Sequence, residues 1–132
     1  MNRFSRYGKT AATLLGAAAL GNGAWMYLAP HAWFVTIPGV LDTGPFNAHL
    51  VRDVGAAYAA QGLALALPVR AWSLYLVAAM FGGLHALLHV WEVACGRVGV
   101  AHLWIDLPGV LLPGMLTVML ALTAMRIVRK EA

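Results

Sequence analysis

The chain has 132 residues, 61% of them apolar and 11% charged, with a net charge of +4. Fourteen ionised side chains, nine basic and five acidic, cannot cover the surface of a soluble domain, which averages about 25% charged residues. The basic residues stand at the ends of apolar runs and not on one polar face, so they read as topology determinants and exclude a nucleic-acid surface. The pattern predicts an all-α integral membrane four-helix bundle formed by a single transmembrane domain over residues 1–132.

A helix needs about 20 largely apolar residues to cross hydrocarbon. The first such run is Thr10–Ala29, after Arg3, Arg6 and Lys9 and before Pro30. Its charged start resembles a signal peptide, but Trp25 and Tyr27 close it in the manner of an interfacial belt, which favours an uncleaved span. The second runs over about 49–67, with Asn47 placed to cap it. The third covers about 71–94 and forms a tight hairpin with the second through Pro68, Val69 and Arg70. The fourth covers about 106–128. Asp106 is placed to cap it, Pro108 sits where a missing amide costs nothing, and Pro113 and Gly114 predict a kink.

Lys and Arg set the orientation. Arg3, Arg6, Lys9, Arg70, Arg126, Arg129 and Lys130 fall on one side, and Arg52 and Arg97 on the other. The richer side is cytoplasmic, so the expected topology is N-in/C-in. The segments 30–48 and 95–105 then face the periplasm or the cell exterior. Small residues four apart (Ala17 and Gly21, Ala19 and Gly23, Ala56 and Ala60) predict close helix packing. Cys95 is the only cysteine, so no disulfide forms within the chain.

Polar chemistry collects on the periplasmic side. All five histidines and four of the five acids (Asp42, Asp53, Glu92, Asp106) lie there. In the third span His89 stands about 40° from His85, and Glu92 about 20° to the other side, so the three share a stripe. In the second span His49 and Asp53 share a face, with Arg52 beside them, and Asn22 of the first span lies at similar depth. Ionisable groups inside a membrane face a protein interior or a watery cavity.

Three readings of this layer are open. His85 and His89, alone or with His49, form with Glu92 or Asp53 as carboxylate a donor set suited to a transition metal, His85, His89 and Glu92 being the leading set. Alternatively His49, Arg52, Asp53 and Asn22 bind a small anionic or lipid-like ligand, with Arg52 holding the anionic head and His85 and Glu92 exchanging protons. In the third reading the groups form a hydrogen-bond network that only fixes helix register. The first two make the chain a ligand-binding membrane protein. The third makes it an accessory or assembly subunit, either a homo-oligomer or part of a larger membrane complex. No cofactor motif, nucleophile elbow or cysteine pair argues for an enzyme.

Two further patterns bear on the architecture. His31-Ala32-Trp33 followed by Pro38-Gly39-Val40 recurs as His102-Leu103-Trp104 followed by Pro108-Gly109-Val110, which predicts two related helical hairpins with a site between them. The stretch from Gly44 to Tyr58, GPFNAHLVRDVGAAY, resembles the small DoxX-like four-helix bacterial membrane proteins, in which a polar Arg/Asp element followed by Gly and Ala opens the second helix. That resemblance implies a four-helix fold in the inner membrane and carries over no catalytic residue.

Overall fold

A computed structural model describes residues 6–67 and 71–131, the side chain of Glu131 excepted. Arg3 and the predicted turn at Pro68, Val69 and Arg70 lie outside the described residues. Six helices account for the fold, and no strand occurs among the described residues. They are α1 (Arg6–Leu28), α2 (Pro30–Thr36), α3 (Ala48–Ala66), α4 (Trp72–Ala94), α5 (His102–Ile105) and α6 (Leu112–Glu131). The four long ones fall on the four predicted spans. The short ones, α2 and α5, sit in the connections α1–α3 and α4–α6.

Among the described residues, two helical stretches are long and apolar enough by composition to cross a membrane: Trp72–Ala94 and Leu107–Lys130, with mean hydropathies of 1.6 and 1.8. The reason α1 and α3 fall short is chemical. Glycines and polar residues interrupt them: Gly16, Gly21, Asn22 and Gly23 in α1, and Arg52, Asp53 and Gln61 in α3.

The long helices associate as two pairs, α1 with α3 and α4 with α6, and the pairs meet mainly along α3 and α4. Glycines set the pair spacing. A Cβ on Gly62 would lie 2.6 Å from the Gly16 carbonyl oxygen and from the Leu20 nitrogen, and one on Gly114 would lie 2.6 Å from the Gly82 carbonyl oxygen. These neighbours are backbone atoms that cannot swing aside, so the helices approach to backbone contact. The close contacts use Gly16 and Gly23 against Gly62 and Gly55, spaced seven apart. The small-residue pairs expected from sequence contribute only Gly23, because Ala17, Gly21, Ala56 and Ala60 face outward.

At the end carrying the chain termini, all four long helices meet in one apolar cluster that includes Ala12, Leu65, Tyr75, Ala78 and Ala121. At the other end, Met26, Phe34 and Val51 form a smaller cluster, with Trp33, Val54 and Tyr58 against it. Between the pairs, the buried Gln61 donates from Nε2 to the Ala78 carbonyl at 3.1 Å and fastens α3 to α4.

Helix boundaries follow local chemistry. The Asn47 side chain accepts from the amides of His49 and Leu50, the cap expected from sequence. The α4 end closes on Gly96 at φ 68, with the Arg97 amide donating to the Glu92 carbonyl at 2.9 Å. Entry to α6 differs from expectation. It begins at Leu112 and is preceded by a wide π-type turn, Leu107–Leu111, in which the Leu111 amide donates to the Asp106 carbonyl. The Asp106 side chain caps nothing, because it is committed elsewhere. The repeated tripeptides map onto α2 and α5, but the repeat then diverges. Gly39 makes a left-handed turn at φ 82, whereas Gly109 lies inside the π turn.

Candidate functional site

Phe81, His85 and His89 follow one another at four-residue spacing on α4, so their rings form a stripe along one face. Phe81 and His85 stack, with centroids 5.5 Å apart and planes 14° apart. The His85 and His89 rings meet edge-on at 4.9 Å. Tyr58 of α3 packs edge-on against both Phe81, at 5.1 Å, and His85, at 5.7 Å. Antiparallel pairing places it there: Tyr58 stands three residues before Gln61, and Phe81 three residues after that glutamine's acceptor, Ala78.

The stripe ends on a carboxylate. His89 Nδ1 lies 2.8 Å from Asp106 Oδ2, with the two side chains only 18% and 11% exposed. With Asp106 ionised its oxygen only accepts, and the donor in this contact is then Nδ1–H of His89. In the neutral imidazole Nε2 then keeps its lone pair. The connection after α4 turns back through α5 and delivers Asp106 to His89, and the π turn that follows gives its backbone an acceptor role. The result is a half-buried row of Tyr58, His85, His89 and Asp106 running from α3 across α4 to the entrance of α6.

The other polar residues form separate contacts. His49 pairs with Asp53 at 3.4 Å on the outside of α3, where the side chains are 88% and 62% exposed. Arg52 donates from Nε to the Tyr27 carbonyl at the end of α1. Asn22 accepts from Trp33 Nε1 at 2.9 Å, tying α2 to α1, so Trp33 is more than a surface anchor. His102 pairs with Asp42 at 3.2 Å and joins the two long connections, and the Gly39 turn packs against that histidine.

The sequence-derived ligand set is therefore divided. His85 and His89 come together. His49, Arg52 and Asp53 make no hydrogen bond or ion pair with them among the described residues, because the face of α3 that meets α4 is the one bearing Tyr58 and Gln61. Glu92 is half-buried, and its carboxylate has no side-chain partner among the described residues. Among the described residues no group of three His, Cys, Asp or Glu side chains comes close enough together to hold a metal ion. For the expected set of His85, His89 and Glu92, the physical reason is that Asp106 takes the imidazole nitrogen facing it while Glu92 stands a turn further along. Asp106 and Tyr58 were not singled out as site residues from sequence. The signal for Tyr58 was the hairpin register. For Asp106 it was only that a carboxylate on the histidine-rich side needed a partner. No family model, curated protein or solved structure matches the chain.

Proposed function

We propose that the chain is a four-helix inner-membrane protein, with both termini cytoplasmic, that binds a lipid-soluble small molecule through a hydroxyl or carbonyl head seated on the Tyr58–His85–His89–Asp106 row. The supporting observation is the half-buried His89–Asp106 pair with two further polar rings beside it, inside an otherwise apolar protein.

Exposure of the long helices supports the membrane reading. Only 22% of the most apolar window of α4, and 28% of that leading into α6, is buried. The core helix of a soluble protein is mostly buried, whereas here Val77, Leu84, Leu87, Met115 and Met119 are each more than half exposed. Water is a poor solvent for such a surface and hydrocarbon a good one. The Ala and Gly content of α1 and α3 suits close packing in lipid, where association depends on contact and not on the hydrophobic effect.

The charge state favours a neutral head over an anion. An imidazolium on Asp106 is neutral as a pair, and a neutral imidazole beside a carboxylate is negative overall. Arg52, the cation expected to hold an anion, is drawn off to Tyr27. What the row offers is donors and acceptors at His89 Nε2, the His85 ring and the Tyr58 hydroxyl, which match a hydroxyl or a carbonyl. Proton exchange with such a head is within the reach of imidazole.

Organic extraction of the purified protein followed by mass spectrometry tests this reading. Wild type is expected to carry a small apolar molecule that His89→Phe and Asp106→Asn lose, while each variant stays folded with a loss of no more than about 1.5 kcal/mol. If both variants lose stability alone and retain the same extractable molecules, the row is a register-fixing network, and the accessory-subunit reading takes its place.

A further inference from the structure

The close approach of α1 and α3 leaves a shallow apolar trough along their outer seam. It is lined by Leu20, Ala24, Tyr27 and Leu28 of α1 and by Ala56 and Ala59 of α3, and offers about 430 Å3. From Leu20 to Leu28 it runs about 12 Å, most of the depth of one hydrocarbon leaflet. Its lining is almost wholly apolar, so the trough by itself recognises nothing. A cation at one end changes that.

Arg52 stands one turn before Ala56 on α3, at the end of the trough nearest the connecting loops. Its Nε donates to the carbonyl of Tyr27, a lining residue, which brings the guanidinium to that end of the trough. A guanidinium has five N–H donors. One is used here, and no carboxylate pairs with Arg52 among the described residues, since the adjacent Asp53 faces His49 instead. The remaining donors are those that grip phosphate in a fork.

We propose that this trough is a binding site for one anionic phospholipid of the leaflet on the loop side, with the phosphate on Arg52 and an acyl chain lying between α1 and α3. Charge complementarity decides the occupant: a lone arginine at headgroup depth above a hydrocarbon-lined groove matches a phosphate joined to an acyl chain. The proposal rests on the membrane reading above and is independent of the Tyr58–Asp106 row.

The test is native mass spectrometry of the protein released from vesicles of phosphatidylcholine doped with phosphatidylglycerol, after flotation of those vesicles. Wild type is expected to retain one phosphatidylglycerol in preference to phosphatidylcholine. Arg52→Gln should lower that retention about fivefold, the factor one cation near a membrane surface contributes. Ala56→Leu and Ala24→Leu fill the trough from exposed positions on either helix and should each displace the lipid. Arg97→Gln should leave retention unchanged. Protein that fails to float overturns the membrane reading, and this proposal with it. Protein that floats but holds phosphatidylglycerol equally well as Arg52→Gln, or loses it equally as Arg97→Gln, overturns this proposal alone.

Discussion

Breaking the His89–Asp106 contact gives a measurable coupling. Asp106→Ala leaves a half-buried imidazole N–H without its acceptor, and His89→Ala leaves a carboxylate that is 11% exposed without its donor. Losing one partner of a buried hydrogen bond costs about 1–3 kcal/mol, while side-chain hydrogen bonds between membrane helices average about 0.6 kcal/mol and reach about 1.7. The 2.8 Å distance and the ionic acceptor place this pair toward the upper end, so each single variant should lose about 1.5 kcal/mol. In the double variant neither orphan remains, and the losses should fall short of additivity by about 1 kcal/mol. Reversible unfolding in mixed micelles, with all four corners of the cycle measured, reads this directly. Asp106→Asn keeps an acceptor oxygen and should lie between wild type and Asp106→Ala. Additive losses, with a coupling below about 0.3 kcal/mol, would refute the reasoning: the two side chains would then not share a proton in the folded protein.

Three further outcomes follow from the packing and the topology. Gly62→Ala drives a Cβ into the backbone of α1 and should cost about 1–3 kcal/mol, whereas Gly21→Ala meets nothing within 4 Å and should be neutral or gain about 0.5 kcal/mol from helix propensity; thermal unfolding in detergent separates them. Asn22→Leu strands the Trp33 indole N–H and should lose about 1 kcal/mol, with faster proteolysis in segment 30–47 as α2 loosens. Tags at residue 132 and near Gly99 should show opposite accessibility in intact cells, and equal accessibility would rule out the proposed orientation.

The positions of the long helices were legible in the sequence because apolar runs bounded by Pro30, Pro68 and Gly96 leave little freedom in where they begin and end. Asn47 declared its cap through residue type alone. The failures share one cause: a side chain's partner depends on where a connection returns, and periodicity says nothing of that. Asp106 read as a helix cap because it precedes Pro108, but the turn through α5 presents it to His89. Arg52 and Asp53 stand near His85 when helices are drawn as parallel rods, yet the face of α3 that meets α4 is the one bearing Tyr58 and Gln61. Small residues one turn apart do not point to Gly16 and Gly62, because the seam repeats every second turn. The π turn, in which the Leu111 and Leu112 amides donate five residues back to the Asp106 and Leu107 carbonyls, leaves no mark in the hydrophobic periodicity.

The proposed function requires His89 to be held by Asp106 and turned inward with one nitrogen open to a ligand. Nitrogen-15 spectra of histidine-labelled protein in lipid bilayers report both ring nitrogens. The account predicts that His89 shows a protonated Nδ1 that responds to Asp106→Asn, and that its Nε2 signal moves when extracted membrane lipids are returned to stripped protein. A His89 signal that matches the exposed His49 and ignores both changes would contradict it.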